Sequence, residues 1–318
     1  MIKGIPRLSV LIITYKQEEL IKRAIESVLV QRDYVYEICV SDDCSPDGTW
    51  EVLQEYDKQH PGLFKLFRHQ HNVGIFENIE HTWSMPSGDI VYQLSGDDEC
   101  GEGWLKTVIE YIQEHQLDYL NDRFAIYGDY ESRYPSGDVS VFSNKAVISG
   151  IDPVRLSFRG IIGNRSAVCS RKVVESYKIV SKGKSHIAES AQDRQLPFSS
   201  DSCYYIPHVG NIYYARIGVG VHMNLDTIKE REEVELYAMQ VLKESGYNFC
   251  KADESYIQLK AELARLHRIK SIRQIIKIFG LWIASFDPKV SFKEFRIKEY
   301  LFAILRRLPH RKPIKMHI

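Results

Sequence analysis

Patterns of buried strands and amphipathic helices alternate through the first third of the chain, and this alternation constrains the fold more than any other feature. Residues 8–13 form an apolar run interrupted only by Ser9, and residues 18–30 then carry apolar side chains at helical spacing. A strand that is apolar throughout is typical of a sheet covered on both faces, and strands that alternate with helices form parallel sheets. The sequence therefore predicts an α/β fold with a mostly parallel sheet flanked by helices.

Further elements follow at similar spacing. The remaining predicted strands lie at residues 37–40, 64–67, 90–94, 124–130 and 139–147. The remaining predicted helices of the first third lie at residues 49–59, 75–83 and 102–115. Segments 153–163 and 170–179 fit either helical or irregular structure, and from residue 226 the chain is predicted to be helical to its end. We therefore expect a body over residues 1–225 and a helical C-terminal region over residues 226–318.

Three polar clusters follow predicted strands: Thr14-Tyr15, Asp42-Asp43 and Asp97-Asp98-Glu99. Ligands of open α/β sheets bind beyond the carboxyl ends of the strands, so we expect one pocket to gather all three clusters. Three successive acids repel one another in a confined site, and a divalent cation such as Mg²⁺ or Mn²⁺ relieves that repulsion. The alternative is that the acidic triplet is a solvated loop.

Asp42 and Asp43 allow two interpretations. A carboxylate at this position accepts a hydrogen bond from a base N–H or a ribose hydroxyl in dinucleotide-binding folds. The same residues also serve in turns and helix caps. The glycine fingerprint of those folds is absent after the first strand, where the chain reads Ile13-Thr14-Tyr15-Lys16, and this disfavours a nicotinamide-dependent dehydrogenase.

Taken in order, the motifs of the first 110 residues resemble glycosyltransferase family 2. They are Ser9-Val-Leu-Ile-Ile-Thr-Tyr-Lys, Ala24-Ile-Glu-Ser-Val-Leu-Val-Gln31, Glu37-Ile-Cys-Val-Ser-Asp-Asp-Cys-Ser-Pro-Asp-Gly-Thr49, Asn72-Val-Gly, Gly88-Asp89 and Gly96-Asp-Asp-Glu. The resemblance implies an inverting transferase with the Rossmann-like GT-A fold, a nucleotide-sugar donor that is usually a UDP-sugar, and a divalent metal. It divides the body into a nucleotide-sugar half over about residues 1–115 and an acceptor half over about residues 116–225.

The resemblance also assigns roles to residues of the donor half. Thr14, Tyr15 and Asp43 would line the nucleoside pocket. Asp98 would bind the metal that bridges the diphosphate, and Asp97 would contact the ribose or the metal.

A catalytic base is expected downstream, where the family commonly has Glu-Asp before a helix. This chain reads Ala191-Gln192-Asp193-Arg194, so Gln192 departs from the pattern while Asp193 keeps the carboxylate. By resemblance Asp193 would take the proton from the acceptor hydroxyl, and Glu189 is the second candidate. The alternative role of Asp193 is to complement the charge of a helix N-terminus.

The segment Tyr213–His222 resembles the later family segment that closes over the diphosphate. Arg216 offers a planar fork of donors suited to phosphate. His222 is a candidate phosphate donor or metal ligand, or else a structural residue.

Lys and Arg balance Asp and Glu at 42 each, which argues against a nucleic-acid-binding protein. Residues 267–318 nevertheless hold 13 Lys and Arg against three Asp and Glu. Apolar stripes flanked by basic residues in this tail are typical of a helix lying on an anionic membrane. The alternative is that the tail packs on the body with a solvated basic face. No signal peptide precedes the first strand, so we expect a cytoplasmic protein that contacts the inner face of the membrane.

The leading hypothesis is a metal-dependent transferase that moves a sugar from a nucleotide-diphosphate donor to a glycan or lipid-linked acceptor in surface polysaccharide synthesis. One alternative is a sugar-nucleotidyltransferase, although the Gly-rich basic loop expected after its first strand is missing. The other is a catalytically degenerate subunit that binds a nucleotide sugar. The sequence leaves the sugar, the acceptor, the linkage and the oligomeric state open.

Overall fold

A computed structural model of the chain describes residues 4–176, 189–215, 225–265 and 271–290. Its strands are β1 (Leu8–Thr14), β2 (Glu37–Asp42), β3 (Phe64–Arg68), β4 (Ile90–Ser95), β5 (Glu99–Cys100), β6 (Phe124–Arg133), β7 (Val139–Phe142), β8 (Val168–Ser170) and β9 (Ser202–Tyr214). Its helices are α1 (Leu20–Leu29), α2 (Thr49–Gln59), α3 (Ile75–Ser84), α4 (Trp104–Glu114), α5 (Pro153–Phe158), α6 (Arg171–Glu175), α7 (Glu189–Ser199), α8 (Leu225–Glu244), α9 (Lys251–Arg265) and α10 (Ile272–Ala284).

The strands form one sheet in the order β3-β2-β1-β4-β8-β6-β9-β5, with β7 paired to β6. Strands β3, β2, β1 and β4 are all parallel to one another. Beyond β4 the sheet is mixed, because β8 pairs antiparallel to both β4 and β6, while β6 and β9 are parallel. The predicted α/β class is therefore confirmed. The parallel strands β1 to β4 are those that the alternation of strand and helix patterns predicted.

Strand β1 shows why the first segment is apolar throughout. Val10 and Ile12 are fully buried in a core on one face of the sheet, which they share with residues of α1 and α4. Leu11 points to the other face and is fully buried in a second core. Alternate side chains of a strand face opposite sides of the sheet, so a strand covered on both sides has no polar face.

The C-terminal helices share a core with the body. Ala238, Met239 and Leu242 of α8 and Ile257 of α9 pack in one cluster with Phe158 of α5. The same cluster reaches Ile13 at the end of β1 and two apolar residues of α3. Within the part of the chain that the structure describes, no helix is both long enough and apolar enough to span a bilayer.

The predicted elements and the structure differ at several places. The strand predicted at 139–147 ends at Phe142, and a short 3-10 turn follows at Lys145–Ile148. The short β8 and the 13-residue β9 were not predicted. The segment predicted at 170–179 contains the one-and-a-half-turn helix α6, and residues 177–179 lie outside the described residues.

Candidate active site

The three polar clusters lie at the ends of adjacent strands. Thr14 is paired with Asp42 between β1 and β2, and Ile13 is paired with Ser95 between β1 and β4. The residues that follow these pairs therefore emerge at the same edge of the sheet. The segments 14–15, 42–43 and 97–99 thus share this edge, but of their residues only Asp98 lines the pocket described below.

The loops that follow β1 and β2 are tied to each other. The Lys16 amide donates to Ser45 Oγ over 3.0 Å, and the Gln17 amide donates to Thr49 Oγ1 over 2.9 Å. Lys16 has a φ of 55° and Cys44 a φ of 56°, in the left-handed region that side chains other than glycine seldom occupy. Backbone strain of this kind concentrates at functional sites. The two loops thus form one preformed wall at the edge of the sheet.

Thr14 and Tyr15 begin this wall. Thr14 is nearly fully buried, and its hydroxyl donates to Gln17 Oε1 over 2.8 Å. Tyr15 is half-buried, and the Lys16 ammonium lies 5.2 Å from the centre of its ring. An aromatic face next to a cation suits a planar base or a phosphate-bearing ligand.

Asp43 organises the segment before α3. Its carboxylate accepts hydrogen bonds from the amides of Val73 (2.7 Å) and Gly74 (3.0 Å) and from Asn72 Nδ2 (3.0 Å). A carboxylate has about four acceptor positions, so these three bonds leave capacity for one more donor. Asp43 is therefore built into the loop and still able to accept a bond from a ligand.

Asp42 is more fully engaged within the protein. It is completely buried, and it accepts bonds from the Ser45 amide (3.1 Å) and the Ser45 hydroxyl while Arg68 Nε lies 3.3 Å away. Burial raises the pKa of Asp42, although the bonds from Ser45 and the charge of Arg68 oppose that shift. These contacts are those of a turn-forming residue, which is one of the two roles expected for it.

The acidic triplet follows Gly96, where a side chain would crowd its neighbours. A Cβ at Gly96 would lie 2.3 Å from Gln17 Oε1 and 3.0 Å from the Ile13 carbonyl oxygen. Asp97 follows, half-buried, and Arg23 donates to its backbone carbonyl. Asp98 is 1% exposed, and its carboxylate accepts from Arg165 Nη1 (3.2 Å) and from the Tyr214 amide (3.3 Å).

Glu99, the third acid, turns away from this arrangement. Its carboxylate accepts from the Tyr214 hydroxyl over 2.7 Å and lies 3.3 Å from Arg23 Nε. The Arg23 guanidinium stacks 3.5 Å from the centre of the Tyr214 ring. Glu99 thus joins α1 to β9, and the acidic triplet divides into two acids near the site and one that joins structural elements.

A pocket opens beside Asp98. Its lining is mainly amide, basic and small apolar side chains, namely Trp83, Val91, Gln93, Ser95, Asp98, Asn164, Arg165, Ala167, Cys169, Leu196 and Asn211. These residues come from α3, β4, β8, β9 and α7, from the turn after β4 and from the segment before β8. The pocket therefore lies where the parallel part of the sheet meets the mixed part.

Two lining residues could not have been found from the sequence. Arg165 lies in the irregular turn before β8, where no periodic pattern marks it, and its guanidinium stacks 3.8 Å from the centre of the Tyr213 ring. Asn211 lies in the strand that was not predicted, is 1% exposed, and has a buried Oδ1 that meets no hydrogen-bond donor among the residues that the structure describes. A polar ligand would supply the missing donor.

Asp97 and Asp98 fit a divalent cation shared with a phosphate ligand. Both offer oxygen donors, and Asp98 is a buried carboxylate at the pocket wall. Among the described residues no group of three or more His, Cys, Asp or Glu is placed to hold a metal ion. Mg²⁺ in nucleotide sites commonly takes one or two carboxylates and completes its shell with water and substrate phosphates. The donor set of this site suits that mode of binding.

The structure describes the helix of the predicted base but not the predicted phosphate-binding residues. Glu189 and Asp193 both lie in α7, which contributes Leu196 to the pocket wall. Arg216 and His222 follow β9 in the sequence and lie outside the described residues.

The sequence matches the family model described as Glycosyl transferase family 2 over residues 9–173, which is just over half of the chain. The chain therefore belongs to glycosyl transferase family 2, and the resemblance drawn from the motifs is confirmed. Among curated proteins, a GalNAc(5)-diNAcBac-PP-undecaprenol beta-1,3-glucosyltransferase of Campylobacter jejuni is 32% identical over 109 residues, covering 34% of this chain and 35% of that protein. The chain spans about a third of the length of the curated relatives that it matches first.

Solved structures resemble most of the chain. TarS 1-349 of S. aureus, in complex with UDP-GlcNAc, is 13% identical with a TM-score of 0.60, covering 94% of this chain and 90% of that chain. Mannosyltransferase PcManGT of Pyrobaculum calidifontis, in complex with GDP-Man and Mn²⁺, is 16% identical with a TM-score of 0.55, covering 94% and 86%. At such identities the likeness shows the fold alone, and it confirms the GT-A fold expected from the sequence.

Proposed function

We propose that this protein transfers a sugar, with inversion, from a nucleotide-diphosphate donor to a hydroxyl group of a glycan or lipid-linked acceptor. The observation that carries the proposal is the buried Asp98, which follows Asp97 at the end of β4 and lines a pocket in a chain of this family. The UDP-GlcNAc and GDP-Man complexes of the similar structures support a nucleotide-sugar donor, and a UDP-sugar is our first choice.

The donor would lie across the edge of the sheet. Thr14, Tyr15 and Asp43 would hold the nucleoside, with Asp42 shaping the loop behind Asp43. Asp98 and Asp97 would hold Mg²⁺ or Mn²⁺ against the diphosphate. When bound, that ion would neutralise the charge of the leaving diphosphate.

Two residues outside the described ranges complete the proposed donor site. Arg216 follows β9 and would bring a guanidinium to the diphosphate, and His222 is a further candidate for the phosphate or the metal. Arg216 is two positions and His222 eight positions past the end of β9, the strand that contributes Asn211 to the pocket.

Asp193 would act as the general base, with Glu189 as the second candidate. Its carboxylate would take the proton from the acceptor hydroxyl while that oxygen attacks the anomeric carbon of the donor sugar. The bond from the anomeric carbon to the diphosphate oxygen would break on the opposite face, and the nucleoside diphosphate would leave. Attack opposite the leaving group inverts the anomeric configuration, and a placed base contributes about 10²–10⁴-fold to such a reaction.

A lipid-linked acceptor is supported by two observations. The name of the Campylobacter jejuni relative specifies an undecaprenol-linked acceptor. In this chain, α10 exposes an apolar stripe, with Ile272 73% and Ile276 64% exposed, whereas Ile278 on its other side is buried. We therefore propose peripheral contact with an anionic membrane on the cytoplasmic side, in surface polysaccharide synthesis.

The basic residues of α10 lie where such a contact needs them. Arg273 and Lys277 flank the apolar stripe, and Lys277 Nζ also lies 2.8 Å from Glu262 of α9. A helix with an exposed apolar stripe and basic flanks suits the interface of an anionic bilayer. The basic segment 291–318, also proposed to take part, lies outside the described residues.

The donor proposal is tested by calorimetry with UDP and Mn²⁺. Loss of an outer partner of a bound metal costs about 10–100-fold in affinity, so Asp98→Asn, which changes a ligand itself, should weaken metal-dependent UDP binding at least about tenfold. Glu99→Gln is the matched control, because Glu99 is the adjacent acid but is held by Arg23 and Tyr214. Unchanged UDP affinity in Asp98→Asn would contradict the proposed metal site, and wild-type protein that binds no nucleotide would contradict the proposed function.

A further inference from the structure

A buried ion pair connects the helix of the proposed base to the C-terminal helices. Arg194 of α7 is 3% exposed and Glu235 of α8 is 1% exposed. Arg194 Nε donates to Glu235 Oε2 over 3.0 Å, and Arg194 Nη2 donates to Glu235 Oε1 over 2.5 Å. These two parallel bonds form a bidentate contact, which constrains orientation more than a single bond does.

The surroundings of this pair restrict it further. The Arg194 guanidinium lies 5.5 Å from the centre of the Phe158 ring, which is fully buried in α5. Lys260 Nζ of α9 lies 3.5 Å from Glu235 Oε1. The pair therefore sits among α5, α7, α8 and α9, where it joins the body to the C-terminal region.

Stability alone is a poor explanation for such a pair. Removing two charges from water costs about as much as their attraction returns, so apolar side chains of similar size commonly serve stability as well or better. What a bidentate ion pair adds is a defined geometry between the elements that carry it. One element of this protein in particular needs a defined orientation.

Helix α7 is that element. Leu196 of α7 lines the pocket that contains Asp98, and Asp193 lies one turn before Leu196 in the same helix. Pro197 stands inside the helix and has no N–H to donate to the carbonyl four residues earlier, which is that of Asp193. The helical hydrogen bonding of α7 is thus weakened at the residue whose placement matters most, and Arg194 is the next residue along the chain.

We propose that the Arg194–Glu235 pair is a positioning device, through which the C-terminal helices set the rotation of α7 and thereby the placement of Asp193. Neither Arg194 nor Glu235 touches the reacting atoms; both act through α7. The inference rests on the proposed function of Asp193 as the general base. It assigns the C-terminal region a part in catalysis that does not depend on membrane contact.

The test compares Arg194→Lys with Arg155→Lys. Arg155 of α5 also joins the body to the C-terminal helices, with Nε 2.5 Å from Asp253 of α9, but its ion-pair partners, Asp253 and Asp287, do not belong to α7. A displacement of about 1 Å in a catalytic group costs up to about 10²-fold in rate, so we expect Arg194→Lys to lower kcat by about 10- to 100-fold. Donor affinity by calorimetry should stay within about twofold of wild type, since Arg194 does not line the donor site.

Two further variants separate positioning from general destabilisation. Glu235→Gln should lower kcat as Arg194→Lys does, whereas Arg155→Lys should lower the melting temperature without a matching fall in kcat. In the Asp193→Asn background, Arg194→Lys should cause no further loss of turnover, because residues that act through one group are not additive. An equal loss of kcat in the presence and absence of the Asp193 carboxylate would overturn the proposal.

Failure of the proposed function has a different signature. If wild-type protein transfers no sugar from UDP-, GDP- or dTDP-linked donors, the proposed function fails and the contact itself is still tested by hydrogen exchange. Arg194→Lys should then speed exchange of the amides of residues 195, 196, 198 and 199 at least about tenfold, while Arg155→Lys should not. Equal exchange of these amides in the two variants would overturn the positioning role independently of activity.

Discussion

Asp98 combines burial, negative charge and a place on the pocket wall, and neither of its neighbours in the acidic triplet does so. Asp97 is half-buried, and Glu99 is taken up by Arg23 and Tyr214. The difference arises from partners that are distant in the sequence, because Arg165 lies 67 residues away from Asp98 and Tyr214 lies 116 residues away. Acidic side chains in consecutive positions thus acquire different contacts from the tertiary structure.

The proposed base gives a prediction at this scale. Asp193→Asn removes the proton acceptor but keeps the size of the side chain, so turnover should fall at least about 10²-fold while donor affinity is unchanged. Transfer rates and calorimetry with the donor measure the two effects separately. Glu189→Gln is the companion variant: near-wild-type turnover in Asp193→Asn together with a large loss in Glu189→Gln would move the role to Glu189.

The sequence indicated some residues of the candidate site and could not indicate others. Asp43 and Asp98 were found because each follows a strand with a clear apolar pattern. Arg165 follows no such pattern, and its relation to Asp98 depends on how β8 pairs with β4. The engagement of Asp42 by Ser45 and Arg68 is likewise a tertiary contact. Local patterns identify strand ends, but they do not show which distant side chains reach them.

Helices and strands were predicted best where one hydrophobic periodicity extends through the whole element. Helix α2 has the predicted bounds, Thr49–Gln59, whereas β9 was missed because its sequence contains Pro207, His208 and Gly210. Pro and Gly are unfavourable inside strands. The structure accommodates them with shifts of register between β6 and β9 near Tyr127 and Asp129. A Cβ at Gly210 would also lie 2.7 Å from the Trp104 ring, so glycine is required there for packing.

One carboxylate joins the four parallel strands at their amino ends. Glu37 of β2 accepts from Ser9 Oγ of β1 over 2.7 Å and from Ser87 Oγ, before β4, over 2.9 Å, and Lys65 Nζ of β3 lies 2.6 Å away. Burial disfavours its charge, but the bonds from Lys65, Ser9 and Ser87 prevail and lower the pKa of Glu37 to about 2. This network is remote from the carboxyl edge that holds the candidate site.

The lowered pKa of Glu37 predicts a dependence of stability on pH. A depressed carboxyl pKa contributes stability that is complete above the unfolded value, about 4.5, and is lost as the pH falls toward about 2. Glu37→Gln should therefore lower the free energy of unfolding by up to about 3 kcal/mol at pH 7, and the difference from wild type should shrink below about pH 4.5. Urea unfolding across this range measures it. Glu51→Gln, at an exposed position, is the control, and an equal, pH-independent effect of both substitutions would contradict the assignment.

At the scale of the whole molecule, the C-terminal helices and the body are joined by both apolar and ionic contacts. Arg155 of α5 and Arg159, the residue that caps its C-terminus, contact Asp253 of α9 over 2.5 and 2.8 Å, next to the shared core around Phe158. The boundary that the sequence predicts at residue 225, between a body and a helical C-terminal region, stays a prediction. Removal of the C-terminal helices would expose that core and leave both arginines without their buried partner.

The exposed stripe of α10 predicts how the molecule binds membranes. Ile276→Asp with Phe279→Asp should reduce co-flotation with vesicles of phosphatidylcholine and phosphatidylglycerol at least about tenfold, because each buried apolar side chain contributes about 1.5–3 kcal/mol. Val139→Asp with Val141→Asp is the matched control, since these residues of β7 are similarly exposed. Flotation that is equal in all variants, or independent of the anionic lipid, would contradict the proposed contact.

The unbroken sheet has a mechanical consequence. The proposed donor half and acceptor half share one continuous hydrogen-bonded ladder from β3 to β5, with β4 and β8 paired at the junction. Two lobes joined by such a ladder cannot hinge apart without breaking backbone bonds in a buried region. Admission and release of large substrates must then depend on displacements of helices and loops above the edge of the sheet. The sheet itself would stay fixed while the helices and loops move relative to it.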